Sequence, residues 1–232
     1  MCGRASLTKT EKELEERFKA TFYTEEIERY RPLPSFNIAP THFHPILSQT
    51  LPTQFQYMKW GLIPSWAKDE KIGSKLINAR VETLLEKPMF KTALQSRRCL
   101  VPIDGFYEWK MISAKEKKPF RICLHDQSIY SLAGFYDIWK NTKGENIYSF
   151  SIITLGSNEM MKSLHDRMPA ILDKEVERHW LDPELTIADA IEMIQPYESN
   201  LMMAYPVSTE VNHVKSNHSG LIKEINTENT LF

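Results

Sequence analysis

A cysteine directly follows the initiator methionine in the opening sequence MCGR. Because Cys2 has a small side chain, an aminopeptidase is expected to remove Met1 and to leave Cys2 with a free α-amine. The amine and the thiol both ordinarily titrate within about two units of neutral pH, so a part of each is nucleophilic.

An aldehyde captured by the amine as a Schiff base could then be attacked by the thiol, which closes a five-membered thiazolidine ring. No internal cysteine can do this, because its nitrogen is an amide. The alternative is a tolerated small residue in a frayed terminus.

Two further stretches carry candidate acid–base groups. In VPIDGFYEWK, strand alternation puts Tyr107 and Trp109 on one face and Glu108 on the other. A carboxyl group in these surroundings suits proton transfer, although a hairpin whose solvent face carries a Glu is an equally simple interpretation. In LHDRMP, His165 can titrate near neutrality and act as an acid or a base. The alternative for that run is a surface ion network.

The candidate binding residues are a neutral amide, several guanidinium groups and an aromatic ring. The segment INAR places Asn78 two residues before Arg80, whose guanidinium matches a phosphate, and Arg4 is another cation that could bind an anion. In KWGLIPSWAKD, Trp66 is the candidate for stacking on bases of a single strand, whereas Trp60 is predicted to lie in the core.

The charges are unevenly distributed along the chain. The net charge is −1, but residues 59–121 carry 14 Lys and Arg against 7 Asp and Glu, and the remainder carries 15 against 23. A basic face can bind phosphates whatever the total charge, so this asymmetry is compatible with a nucleic-acid partner. Solvated loops such as KEKK account for only part of it.

The composition excludes several classes of protein. With 232 residues, 42 % hydrophobic and 25 % charged, the chain is typical of one globular domain spanning residues 1–232. It has no apolar run of about 20 residues and no secretory signal, so we expect a cytoplasmic protein, or a nuclear one if eukaryotic. Three scattered cysteines do not form a disulfide framework, and no His or Cys spacing indicates a metal. No Gly-rich phosphate loop is present either, and we expect no cofactor.

Strand-like segments dominate the chain. An early helix is predicted at TKTEKELEERFKA, with Thr8 and Glu11 at capping-box spacing. The predicted strands are HPILSQ, QFQYMKWGLI, RRCLVPIDGFYEWK, PFRICLHD, SIYSLAGFYDIW, NIYSFSIITL and LMMAYPVS. Further helices are predicted near residues 80–95, interrupted by Pro88, and at 157–165, 173–182 and 186–195. Short links between consecutive strands favour an α+β class with a mostly antiparallel, barrel-like sheet and peripheral helices.

Eight segments, taken in order, resemble one known family. They are CGR, NIAPT, WGLIPSWAKD, NARVET, VPIDGFYEW, SFSIITL, HDRMP and PVSTEVN. Together they resemble the SRAP family, the SOS response-associated peptidases or abasic-site processing proteins, over residues 2–212. The tail at 213–232 matches nothing firmly and is predicted to be peripheral.

The resemblance implies a barrel-like α+β domain, with a basic groove for single-stranded DNA and the mature N-terminal cysteine at its floor. It implies a DNA-protein cross-link to the aldehyde of an abasic site. Cys2 would be the nucleophile, and Asn78 would orient the terminus or the sugar oxygen. Glu108 would move protons, and His165 would assist sugar opening and reversal. The implied phosphate and base contacts are Arg4, Arg80, Arg167 and Trp66. We expect a monomer whose partner is single-stranded DNA with abasic sites, and no membrane. The resemblance also implies association with the nucleoid at damage.

Two other functions stay open at this point. A terminal cysteine near Glu and His could act as a thiol peptidase of the N-terminal-nucleophile type that removes Met1 from its own chain. A lyase side-activity could follow from the Schiff base. A non-catalytic DNA-binding module would bind without dependence on Cys2.

Overall fold

A computed structural model describes residues 2–30 and 33–225 of the protein; Met1, whose removal is predicted, lies outside them. The strands are β1 (Ala5–Leu7), β2 (Ser35–Ile38), β3 (Phe43–Ser48), β4 (Leu51–Trp60), β5 (Asn78–Arg80), β6 (Arg98–Ile103), β7 (Gly105–Met111), β8 (Lys117–Leu124), β9 (Tyr130–Lys140), β10 (Asn146–Gly156), β11 (Arg167–Pro169), β12 (Ile171–Leu172) and β13 (Met202–Pro206). The α-helices are α1 (Glu11–Phe18), α2 (Thr24–Arg29), α3 (Pro88–Ser96), α4 (Glu159–Lys162), α5 (Lys174–Trp180) and α6 (Ile187–Glu192). The predicted α+β class is confirmed.

Five of the strands close into a barrel. Around the ring, β10 pairs with β4, β4 with β3, β3 with β6, β6 with β9, and β9 with β10 again. All of these pairs are antiparallel except β10 with β4. The rings of Trp60 on β4 and Phe150 on β10 stack with their centroids 6.2 Å apart. Trp60 is 2 % exposed, which confirms its predicted place in the core.

A second sheet packs the N-terminal strand next to the stretch that carries Glu108. Its strand order is β13-β8-β7-β1-β2, and β1 pairs antiparallel with β7 through Ala5 opposite Phe106 and Ser6 opposite Gly105. A Cβ atom on Gly105 would come within 2.8 Å of the Arg121 guanidinium, so only glycine lets that side chain pass beneath β7. Strand β1 is therefore fixed in the sheet.

Two helix predictions were wrong in detail. The capping box of α1 is formed by Thr10 and Glu13, not by Thr8 and Glu11. Thr8 instead donates hydrogen bonds from its backbone N–H and its hydroxyl to the Asp104 carboxylate. This contact, to a residue distant in sequence, replaces the predicted role of Thr8 as a helix cap. Pro88 begins α3 at its first turn instead of interrupting a helix, because the first helical position needs no N–H.

The sequence missed the shorter elements. Helix α2 and strands β1, β2, β5, β11 and β12 were not predicted, and RRCLVPIDGFYEWK splits into β6 and β7 at Asp104. Each of these missed strands has two to four residues, which is too few for an alternating pattern to show.

Residues 213–225 pack against the second sheet. The Asn37 side chain is fully buried and donates to the backbone carbonyls of His213 and Ser216. Leu221 is fully buried in a cluster that includes Tyr107. The predicted peripheral tail thus has a packed first part, and its last residues, 226–232, lie outside the described residues.

Candidate active site and nucleic-acid interface

Asn78 holds the backbone of Cys2. The side-chain Nδ2 of Asn78 donates to the Cys2 carbonyl oxygen at 2.7 Å. Strand β5 brings Asn78 there because it runs parallel to β10, with Asn78 opposite Ile152. The Oδ1 atom of Asn78 is buried and has no hydrogen-bond partner among the described residues. A buried acceptor without a donor is costly, so this atom is ready to accept a hydrogen bond from a new group at the terminus.

The thiol of Cys2 is buried within electrostatic reach of the Glu108 carboxyl group. Cys2 is 0 % exposed and Glu108 is 3 % exposed. Burial raises the pKa of the Cys2 thiol, and the negative charge of Glu108 raises it further, whereas the Arg4 backbone N–H favours the thiolate. The thiol is therefore held in its neutral form next to a group that can accept its proton.

A buried ion pair anchors β1, the strand that begins three residues after Cys2. The Asp104 carboxylate accepts from the Ser6 hydroxyl at 2.7 Å and from the Thr8 backbone N–H at 2.7 Å. Arg121 lies 3.1 Å from the same carboxylate, and both side chains are 2 % exposed. Burial would lower the pKa of Arg121, but Asp104 and Tyr205 hold it above its ordinary value. Sequence reasoning missed this pair, because Asp104-Gly105 suggested only a turn.

Tyr130 is a second group that sequence reasoning missed. It is 3 % exposed, and its hydroxyl has no hydrogen-bond partner among the described residues. Burial raises its pKa, and Cys2 is among the groups whose charge it senses. A neutral hydroxyl therefore lies in the surroundings of Cys2, with no sequence signal beyond a Tyr in a strand.

Arg4 is tied to the protein itself. Its Nη1 donates to Asn37 Oδ1 at 2.8 Å and to the Val211 carbonyl, and its guanidinium lies 5.8 Å from the centroid of Trp109. Burial lowers the pKa of Arg4. Its predicted contact with phosphate stays a prediction, and its present contacts connect the N-terminal segment to the C-terminal one.

Arg80 and Arg167 lie at one edge of the barrel. Thr154 of β10 is opposite Arg80 on one side and Pro169 of β11 on the other. Arg80 is exposed. Arg167 forms a two-point ion pair with Glu82, with Nη1–Oε1 at 2.6 Å and Nη2–Oε2 at 3.0 Å. Asn78 and Arg80, two residues apart on β5, connect this edge to the Cys2 carbonyl.

His165 precedes β11 beside the same edge. Its backbone N–H bonds to Met161, its Nδ1 lies 3.0 Å from the Arg167 backbone nitrogen, and Asp166 Oδ1 is 2.7 Å from that Nδ1. The ring is partly exposed, so a bound molecule could reach it. Its role stays a prediction.

Trp66 is 64 % exposed and borders a surface cavity of about 470 Å³ with Lys68, Lys71 and Lys75. Two hydrogen bonds fix its loop. The backbone N–H of Ser65 donates to the Asp137 carboxylate, and the indole N–H of Trp139 donates to the Ala67 carbonyl. The ring is thus presented on a fixed loop among cations. Not all of the basic stretch is surface, however, because Arg98 and Arg121 are buried.

Within the described part of the chain, no group of three or more His, Cys, Asp or Glu is arranged to hold a metal ion. Nor is any helix of residues 2–30 and 33–225 long and apolar enough to cross a membrane.

The fold and the site together define an α+β protein with a closed barrel and a cysteine at residue 2 as its candidate nucleophile. The family described as SOS response associated peptidase (SRAP) matches residues 1–214, and the chain belongs to that family.

Relatives and solved structures agree with this assignment. The chain is 43 % identical over 225 residues to the abasic site processing protein YoqW of Bacillus subtilis, covering 96 % of this chain and 99 % of that protein. It is 36 % identical to the abasic site processing protein HMCES of Xenopus tropicalis, covering 79 % of this chain and 64 % of that one. A crystal structure of a protein from Bacteroides thetaiotaomicron superposes with a TM-score of 0.87 at 29 % identity, covering 97 % of this chain and 100 % of that chain.

Proposed function

We propose that this protein binds single-stranded DNA and captures the ring-opened aldehyde of an abasic site on Cys2. The observation that carries the proposal is the buried Cys2. Asn78 donates a hydrogen bond to its carbonyl oxygen, and the charge of Glu108 raises the pKa of its thiol. The names of the relatives, which are abasic site processing proteins, support the same substrate.

The chemistry begins once Met1 has been removed. The free amine of Cys2 adds to the aldehyde carbon and loses water, which gives a Schiff base. The thiol then adds to the same carbon, and the electron pair of the C=N bond moves to the nitrogen. Glu108 takes the thiol proton and returns it to that nitrogen, so an aldehyde and an aminothiol give a thiazolidine and one water. The buried Oδ1 of Asn78 would accept from the amine and orient it.

Ring closure protects the lesion. An open Schiff base acidifies the neighbouring sugar carbon and invites β-elimination, so a lyase side-activity belongs to this intermediate. Addition of the thiol removes the C=N bond and closes that route. His165 would assist sugar opening and adduct reversal, while Arg4, Arg80 and Arg167 would hold phosphates and Trp66 would stack on a base.

A peptidase reaction is the second candidate. The family description names a peptidase, and the Cys2 thiol lies beside a carboxyl group that can accept its proton. The thiol would attack the Met1 carbonyl, the amide bond would break as a thioester formed, and water would release methionine. This reaction would prepare the terminus for DNA capture and does not exclude it.

The test exploits the need for an amine and a thiol on one residue. An extension ahead of Cys2 that cannot be cleaved, with the thiol intact, should abolish stable capture of an abasic single-stranded oligonucleotide. Cys2→Ser should give no adduct or a less stable one. Capture is measured as a mass increase that survives denaturation, and Cys99→Ser and Cys123→Ser are the matched thiol controls. Normal adduct yield from the extended protein would overturn the proposal and indicate an internal lysine.

A further inference from the structure

We propose that Glu82 occupies the phosphate position on Arg167 in the free protein and thereby sets the affinity for DNA. This inference rests on the proposed function, because it concerns the same interface. Glu82 lies in the 3₁₀ turn Val81–Thr83 that directly follows Arg80.

The ion pair has the geometry by which a guanidinium recognises a phosphate. Both terminal nitrogens of Arg167 donate to separate oxygens of Glu82, at 2.6 Å and 3.0 Å. Carboxylates and phosphates bind this fork of donors in the same two-point manner. The outer face of Arg167 is therefore already filled, and its side chain is only 12 % exposed.

Arg167 does not need Glu82 to stay in place. Its Nη2 also donates to the Thr154 carbonyl at 2.6 Å, and the Thr154 hydroxyl oxygen lies at 3.3 Å. Thr154 belongs to the barrel strand β10, so this anchor is rigid. When Glu82 leaves, the guanidinium keeps its position and presents the vacated donors to a phosphate.

Glu82 is free to leave. Its side chain is 52 % exposed, so the displaced carboxylate is rehydrated at little cost. The hydrogen bond from Arg167 chiefly, and the charges of Arg167 and Arg80, lower the pKa of Glu82, so it carries its charge at neutral pH. DNA must then compete with an ionised carboxylate, which weakens binding to any single strand.

The experiment measures non-covalent binding of an undamaged single-stranded oligonucleotide by fluorescence anisotropy over a range of salt. Glu82→Gln should bind about 3- to 10-fold more tightly at low salt and steepen the slope of log K against log salt by about 0.7, the change for one added phosphate contact. Glu86→Gln is the control, because Glu86 is an exposed carboxylate on the same segment. It changes the net charge equally and should leave the slope unchanged.

A double-mutant cycle assigns the gain to Arg167. Arg167→Gln should weaken binding in both backgrounds, and more in the Glu82→Gln background, so that Glu82→Gln gives no gain once Arg167 is absent. Unchanged or weaker binding by Glu82→Gln, with an unchanged melting temperature, would overturn the inference. A Glu82→Gln variant that binds more weakly and also melts lower would assign a structural role to Glu82 and overturn it too. Capture of abasic DNA by the native protein is scored in parallel, so failure of the proposed function is recognised separately.

Discussion

At the scale of single residues, burial and the charge of Glu108 determine the state of the Cys2 thiol. The thiol is kept neutral by burial and by the adjacent negative charge, so it cannot attack until a base takes its proton. Glu108 is the buried carboxyl group whose charge the thiol senses. Under the proposed function, we therefore expect the amine to attack first and the thiol second.

Replacing Glu108 tests this order. Glu108→Gln should slow adduct formation by about 10²- to 10⁴-fold, the usual effect of losing a general acid–base group, with little effect on DNA affinity. The measurement is the single-turnover rate of cross-linking with saturating abasic oligonucleotide. Glu116→Gln, an exposed carboxylate on the same hairpin, should react at the native rate. A native rate for Glu108→Gln would leave Glu108 with a structural role.

Trp66 carries a separate prediction about the strand that is bound. Trp66→Ala should weaken non-covalent binding of single-stranded DNA by about 1–3 kcal/mol, because one base loses its stacking surface. Its melting temperature should not change, since the ring is 64 % exposed. Tyr23→Ala removes another exposed aromatic ring, 58 % exposed and outside the basic stretch, and should bind normally. Equal binding by the two variants would remove Trp66 from the interface.

At the scale of elements, the short strand β1 positions the terminus. The three residues of β1 pair with β7 and β2. The buried ion pair between Asp104 and Arg121 holds the strand in addition. A strand this short has few backbone hydrogen bonds of its own, so the buried ion pair supplies the remaining constraint. The strand that follows Cys2 is therefore fixed by residues about 100 positions away in the sequence.

Asp104→Asn tests that constraint. It removes one charge of a buried pair and should lower the free energy of unfolding by about 3–5 kcal/mol, measured by urea denaturation. Where the variant is still folded, its cross-linking rate should also fall, since Cys2 loses its fixed position. Ser6→Ala, which removes a single hydrogen bond to Asp104, should show a smaller loss of both quantities. A native rate in folded Asp104→Asn would show that β1 is positioned by its backbone pairing alone.

At the scale of the whole molecule, a buried histidine connects stability to pH. Burial lowers the pKa of His44 to about 4, from an ordinary value of 6.5. Between these two pH values, His44 binds a proton in the unfolded chain but not in the folded protein. The free energy of unfolding therefore falls as the pH drops from about 6.5 towards 4. The total loss from this one group is on the order of 3 kcal/mol.

His44→Gln should reduce that loss. The fall in unfolding free energy between about pH 7 and pH 4.5 should be smaller than in the native protein by about 2–3 kcal/mol. His125→Gln, at an exposed position, should behave like the native protein. Identical acid profiles for native protein and His44→Gln would show that His44 gains its proton without unfolding.

The sequence by itself determined the class of the fold and that a cysteine stands at residue 2. The prediction that removal of Met1 leaves an amine and a thiol on this residue needs no tertiary contact, because both groups belong to one residue. The long strands β4, β9 and β10 and the core position of Trp60 follow from β-branched and aromatic composition, which reports local preference and burial. The family followed from eight ordered segments and was confirmed.

Only the tertiary structure decided which of these groups meet. Asn78 reaches Cys2 across 76 positions, and Arg167 meets Glu82 across 85. In the sequence, Arg121 belongs to the basic stretch at residues 59–121. In the structure it is buried in an ion pair with Asp104 and is therefore unavailable to DNA. The physical reason is that residue type fixes what a side chain can do, whereas burial and pairing arise from strands that are distant in sequence and adjacent in the sheet.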